Sequence, residues 1–72
     1  MIHIGEVIKK EVAKQGHTVK WMSSSLNCSR FNVYDIYERT TIDTELLFRI
    51  SKLLNRNFFE LYSQRLEQNK EK

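Results

Sequence analysis

The sequence predicts an all-α protein, a compact five-helix bundle that forms a single domain over residues 1–65 and is followed by a polar tail over residues 66–72. Apolar residues recur at intervals of three and four along most of the chain, and this period is typical of amphipathic helices. No segment alternates between apolar and polar residues as a half-buried strand does. At 72 residues, of which 40% are hydrophobic, the chain is long enough to fold around one small core.

The first two helices are marked by their apolar faces and by the residues at their ends. The first helix carries its apolar face from Ile4 to Val12. Gly16 follows it and supplies the left-handed residue that commonly ends a helix. Thr18 then offers a side-chain oxygen as the N-cap of a second helix, whose apolar face ends at Leu26.

The turn between the second and third helices has to fit into Asn27, Cys28 and Ser29, in a chain with two Gly and no Pro. Asn tolerates positive φ, so Asn27 is expected to close the second helix. Ser29 is expected to cap the third helix at once, with Cys28 tucked inward between them. We also expect Ser23 to be small because the third helix passes close to it.

Three further helices complete the bundle. The third presents Val33 and Ile36 to the core. A fourth helix with a wide apolar stripe is capped by Asp43 or Thr44, and Asn55 can end it through the left-handed conformation that Asn tolerates. The segment "NFFELYSQRL" is interpreted as a fifth, shorter helix, and the polar residues after it as a frayed tail.

Composition narrows the class of protein. One cysteine excludes an internal disulfide framework and suits a reducing cytoplasm, where we expect Cys28 to pack as a small hydrophobe. No apolar run approaches the roughly 18 residues that span a bilayer, so no membrane association is expected. His3 and His17 lack metal-site spacing, and no nucleophile has a base partner. We therefore expect no enzyme, no metal, no cofactor and no small-molecule ligand.

A spaced pattern runs through residues 19–38, in the order apolar, small, apolar, turn residue, apolar, apolar and apolar. The pattern resembles the helix-turn-helix of the phage-repressor and Cro-type regulators, also called the XRE family, whose fold is the lambda-repressor-like DNA-binding domain. The resemblance places a helix-turn-helix at about residues 18–39, and its outline extends over about residues 4–62. The residues that carry it are Met22, Ser23, Leu26, Asn27, Cys28, Val33 and Ile36.

The resemblance implies a sequence-specific, double-stranded DNA-binding regulator, a small Cro-like repressor, with the third helix in the major groove and the second across the backbone. Such a protein is cytoplasmic and is nucleoid-associated when bound to DNA. In the major groove, Arg suits guanine, Asn suits adenine, Phe suits the thymine methyl group and Asp suits cytosine. The implied base-reading residues are Arg30, Phe31, Asn32, Tyr34 and Asp35, and the implied phosphate contacts are Thr18, Lys20, Arg39, Thr40 and Thr41.

The positive charge of this region is small. Residues 18–39 carry a net charge of +1, because Lys20, Arg30 and Arg39 are opposed by Asp35 and Glu38. Specific binding is therefore expected to need a homodimer on a pseudo-palindromic site, or a partner. A candidate dimer patch follows the fourth helix, although the bundle also needs apolar residues there for its own core. The patch consists of Phe58, Phe59 and Tyr62.

The aromatic residues support a second hypothesis. Helical phase places Trp21, Phe31 and Tyr34 away from the core, and three exposed aromatic residues exceed the scattered apolar side chains of an ordinary surface. They suit a DNA contact or a protein contact equally well. The alternative function is therefore a protein-protein interaction module on a helix-turn-helix scaffold, with these three residues as anchors.

Overall fold

Five α-helices account for most of residues 1–70, the part of the chain that the computed structural model describes, with side chains described through residue 68. No strand occurs in this part, which confirms the all-α prediction. None of its helices is long and apolar enough to cross a bilayer. The helices are α1 (Ile4–Lys14), α2 (Val19–Leu26), α3 (Arg30–Glu38), α4 (Thr44–Leu54) and α5 (Phe59–Lys70).

Three left-handed residues end three of the helices, as the sequence predicts. Gly16 follows α1 with φ 78°, Asn27 follows α2 with φ 56°, and Asn55 follows α4 with φ 53°. After each of these helices, two backbone N–H groups fold back onto carbonyl oxygens of the last turn. This Schellman arrangement satisfies carbonyls that have no partner within the helix.

The turn between α2 and α3 follows the predicted chemistry. The N–H groups of Asn27 and Cys28 donate to the carbonyl oxygens of Ser24 at 3.2 Å and Ser23 at 2.9 Å. The Ser29 hydroxyl accepts from the backbone N–H of the third residue of α3 at 3.1 Å. One helix thus ends and the next begins within three residues, without glycine or proline.

N-caps of the predicted kind begin two other helices. The Thr18 hydroxyl accepts from the N–H of Trp21 at 3.0 Å, and an Asp43 carboxylate oxygen accepts from the N–H of Leu46 at 2.8 Å. Asp43 rather than Thr44 is therefore the cap of α4. His3 is exposed, and its Nδ1 accepts from the backbone N–H of the third residue of α1 at 3.2 Å, so it caps that helix.

The core lies where α1, α2, α3 and α4 meet, and Phe58 closes it from the connection before α5. Phe58 is completely buried, so it is unavailable to the dimer patch in which the sequence placed it. Its ring is held by the guanidinium of Arg56, 5.1 Å from the ring centroid. The other buried apolar side chains are Ile4, Ile8, Val12, Met22, Leu26, Val33, Ile36, Tyr37, Leu47, Ile50 and Leu54.

The beginning of α1 lies directly against the end of α3. The N–H of Gly5 donates to the carbonyl oxygen of Arg39 at 2.9 Å. A Cβ atom at Gly5 would lie 2.7 Å from the carbonyl carbon of Tyr37, and nearer still to the carbonyl oxygens of Ile36 and Tyr37. Only glycine fits this contact between two backbones, so Gly5 fixes how closely α1 approaches α3.

An ion pair joins Glu11 of α1, whose side chain is mostly buried, to the partly exposed Arg56 in the connection between α4 and α5. A Glu11 carboxylate oxygen accepts from Arg56 at 2.8 Å, and its second oxygen accepts from the Gln15 amide at 2.8 Å. The same amide group donates to the carbonyl oxygen of Leu54 at 2.8 Å. The hydrogen bond from Gln15, followed by the hydrogen bond and charge of Arg56, holds the pKa of Glu11 below its ordinary value although burial opposes this shift.

The fifth helix is longer than the sequence predicts. It continues to Lys70, so residues 66–70 of the predicted tail are helical, and residues 71–72 of that tail lie outside the described part of the chain. Every side chain from Ser63 to Gln68 is exposed, so this half of α5 projects from the bundle. This half contains no glycine or proline, so its residues favour continuation of the helix.

Candidate nucleic-acid interface

Helix α3 has one buried face and one exposed face. Val33, Ile36 and Tyr37 are buried against the bundle, and burial, with a smaller effect of Tyr34, raises the pKa of the Tyr37 phenol. The remaining positions point outward because the helix repeats every 3.6 residues. All five residues predicted to read bases are exposed on this outer face, namely Arg30, Phe31, Asn32, Tyr34 and Asp35.

Two of the three predicted aromatic anchors are on this face. Phe31 is 78% exposed and Tyr34 is 56% exposed. Trp21 is different, because its ring stacks on His17 with centroids 3.5 Å apart and an interplanar angle of 5°, and it also packs against the core. The prediction of an exposed Trp21 is therefore wrong, since the turn after α1 covers one side of the ring.

Asp35, a predicted base-reading residue, forms an ion pair with Arg39, a predicted phosphate contact. The guanidinium of Arg39 donates to a carboxylate oxygen of Asp35 from Nη2 at 2.9 Å and from Nε at 3.1 Å. Both side chains are about half exposed, at 46% for Arg39 and 50% for Asp35. In this arrangement the two charges offset each other, so neither is independently available to DNA.

The other predicted phosphate contacts belong to two segments of the chain, one at the beginning of α2 and one after α3. Thr18 and Lys20 are exposed at the beginning of α2, and Thr18 retains a hydroxyl proton for donation although its oxygen caps the helix. Thr40 and Thr41 are exposed in the connection between α3 and α4, where they line a groove that continues to Tyr62.

A shallow cleft beside α3 is lined by an arginine, Arg49, that the sequence did not indicate as a site residue. Asn32, Asp35 and Arg39 line this cleft together with Arg49 of α4. An Nη atom of Arg49 donates to the carbonyl oxygen of Leu26 at 3.2 Å, at the end of α2. Arg49 follows Glu45 by four positions, and that spacing indicates an exposed pair along one helix. No local signal connects Arg49 with the α2–α3 turn.

The residues that carry the sequence pattern take the expected places, with one difference. Met22, Leu26, Val33 and Ile36 are buried in the core. Ser23 is also buried, at 8% exposure, and its hydroxyl donates to the carbonyl oxygen of Lys20 at 2.9 Å. Asn27 forms the exposed turn. Cys28, which was expected to point inward, is only half-buried at the edge of the core.

Comparison of the chain with protein-family models, with curated proteins and with solved structures gave no significant match. The functional argument therefore depends on the chemistry of the chain itself. Among residues 1–70, no three His, Cys, Asp or Glu side chains are grouped as a metal site requires.

Proposed function

We propose that this chain is a sequence-specific, double-stranded DNA-binding regulator of the Cro-like repressor type. In this proposal α2 and α3 form a helix-turn-helix, α3 enters the major groove, and α2 crosses the phosphate backbone. The resemblance of residues 18–39 to the XRE family supports it. The observation that carries it is the outer face of α3, whose first turn exposes Arg30, Phe31 and Asn32 to solvent.

The side chains at this face match the hydrogen-bonding groups of base edges. Arg30 can donate two hydrogen bonds to guanine O6 and N7, and Asn32 can pair with adenine N6 and N7. Neither residue belongs to the buried core. Both are therefore available for recognition, and neither is needed for folding.

Phosphate contacts would come from Thr18, Lys20, Thr40 and Thr41, with Arg49 as a further cation in the cleft beside α3. About four to six contacts per monomer give a slope of log affinity against log salt concentration of about −4 to −5. The test is binding to a preferred duplex, selected from a random library, and to a scrambled duplex at several salt concentrations. A flat salt response, or no duplex binding at low salt, would favour the interaction module and leave Phe31 and Tyr34 as its anchors.

Two substitutions separate base reading from phosphate binding. Arg30→Ala is expected to weaken binding to the preferred duplex by about 1–3 kcal/mol and to relax selection at one base pair. Lys20→Ala is expected to weaken all duplexes alike and to reduce the salt slope by about one unit. Equal losses for Arg30→Ala on the preferred and scrambled duplexes would show that Arg30 holds the backbone and reads no base.

The proposed regulator acts as a homodimer on a pseudo-palindromic site, because one α3 reads one half-site. The corrected dimer surface is a stripe on α5 consisting of Phe59, Tyr62 and Leu66, at intervals of three and four residues. Leu66 is 63% exposed on the projecting half of this helix. Sedimentation of Leu66→Lys tests the stripe, and Gln64→Lys is the control because it adds the same charge about half a turn away around α5. A monomer both free and on DNA, in the unsubstituted protein, would refute the dimer.

A further inference from the structure

Two exposed aromatic residues lie one helical turn apart on the outer face of α3. Phe31 is the second residue of the helix and Tyr34 follows three positions later, so their Cβ atoms are about 5–6 Å apart on neighbouring turns. They are 78% and 56% exposed. The inner face of α3 is already filled by buried residues, so these two rings add little to the core.

The neighbours of the two rings are hydrogen-bonding side chains. Arg30 and Asn32 flank Phe31 and are both exposed, and Asp35, with its bound Arg39, follows Tyr34. A surface that combines cationic and amide donors with apolar rings matches the floor of the major groove. There the hydrogen-bonding groups of the bases alternate with one apolar group, the C5 methyl of thymine.

We propose that Phe31 and Tyr34 form a methyl-reading pair, which makes DNA binding depend on two thymine methyl groups. This inference rests on the proposed function, because it requires α3 to enter the major groove. Base pairs are stacked about 3.4 Å apart, so rings at the spacing of one helical turn reach methyl groups that are one or two base-pair steps apart. The site preferred by this protein therefore contains two thymines at that separation.

The test replaces single thymines of the library-selected duplex by deoxyuridine, which removes the methyl group and keeps every hydrogen-bonding group of the base. Burying one carbon stabilises binding by about a factor of four. We expect affinity to fall about fourfold for each of two deoxyuridine positions, and about fifteenfold when both are replaced. Replacement at the other thymines is expected to leave affinity unchanged.

Variants assign each methyl group to its ring. Phe31→Ala is expected to bind more weakly and to lose the difference between thymine and deoxyuridine at one position only, while Tyr34→Ala loses it at the other. Phe48→Ala is the matched control, because Phe48 is also about half exposed, at 50%, but lies on α4. Its thymine-to-deoxyuridine ratio is expected to equal that of the unsubstituted protein. Thermal unfolding of each variant checks that its fold is intact.

The outcomes separate this inference from the function on which it rests. Selective binding of one duplex, with equal affinity for its thymine and deoxyuridine forms, would overturn the methyl-reading pair and leave the proposed function standing. The methyl-reading pair would also be overturned if Phe31→Ala and Tyr34→Ala left the ratio of the affinities for the thymine and deoxyuridine duplexes unchanged. A library that yields no preferred duplex at low salt would overturn the proposed function itself.

Discussion

The ion pair between Asp35 and Arg39 leads to a prediction that distinguishes two roles for Asp35. If Asp35 reads a cytosine, Asp35→Asn should weaken binding to the preferred duplex. The structure favours the opposite result, because the Asp35 carboxylate holds the Arg39 guanidinium at 2.9 Å on a surface that faces phosphates in the proposed complex. Asp35→Asn removes one negative charge there and releases Arg39 to bind a phosphate.

The expected magnitude follows from one additional phosphate contact. Each contact changes the slope of log affinity against log salt concentration by about −0.9, which corresponds to about a five- to tenfold gain in affinity at 0.1 M salt. The cost to folding is small. An exposed ion pair contributes about 0.2–1 kcal/mol, so the midpoint of urea unfolding should fall only slightly.

The assay is fluorescence anisotropy of a labelled duplex, measured at several salt concentrations on the preferred and scrambled sequences. Asp35→Asn is expected to gain affinity for both duplexes and to steepen the salt slope by about one unit. Glu38→Gln is the matched control, because Glu38 is an exposed carboxylate at the end of α3. It removes the same charge and leaves the pair of Asp35 with Arg39 intact.

Two results would refute this reasoning. Equal gains for Asp35→Asn and Glu38→Gln would show that net charge matters and that release of Arg39 does not. A loss of affinity confined to the preferred duplex would show that the Asp35 carboxylate reads a base, as the sequence resemblance implies.

Three further predictions concern the fold that positions this face. Glu11→Gln should lower the free energy of unfolding by about 1–2 kcal/mol at neutral pH. The folded state lowers the pKa of Glu11, so its contribution to stability is present above the ordinary value of 4.5 and is lost as pH falls through the folded pKa. The unfolding free energy of the variant, measured in urea, should therefore depend less on pH in the acid range than that of the unsubstituted protein. Gly5→Ala should lower the unfolding free energy by about 1–3 kcal/mol, although alanine favours helices, and a gain in stability in thermal unfolding would contradict the close approach of α1 to α3. Ser23→Leu should lower the unfolding free energy by about 1–3 kcal/mol through overpacking. Ser24→Leu, at an exposed position of α2, should change it by no more than about 0.5 kcal/mol. Equal effects of the two substitutions in urea unfolding would show that α3 does not restrict Ser23.

Helix ends could be predicted from the sequence where they depend on neighbouring residues. The left-handed conformations of Asn27 and Asn55, and the capping oxygens of Thr18 and Ser29, act within a few positions along the chain. The outward face of α3 was also predictable, because one buried stripe fixes the direction of every other side chain on a helix. Local chemistry was sufficient in these cases.

Features that depend on distant residues could not be predicted in this way. Gly5 has to be glycine because of the backbone of α3, and Glu11 depends on Arg56, 45 positions away. Arg49 reaches the end of α2 across 23 positions. The end of α5 was not predicted for a different reason: the side chains of its second half are exposed, so no buried apolar stripe marks where the helix ends.

The distribution of charge and apolar surface on α3 determines what kind of DNA reader the proposed protein can be. The net charge of residues 18–39 is small, and the ion pair with Asp35 occupies Arg39, one of the three cationic side chains of this segment. This segment of a single domain therefore has little net positive charge with which to hold random DNA. The same face carries two exposed rings beside Arg30 and Asn32, so a larger share of its binding free energy depends on the base sequence. Such a monomer binds DNA weakly but discriminates well between base sequences. Pairing two monomers through α5 raises the affinity for a site with two matched half-sites without increasing the affinity of each domain for other sequences.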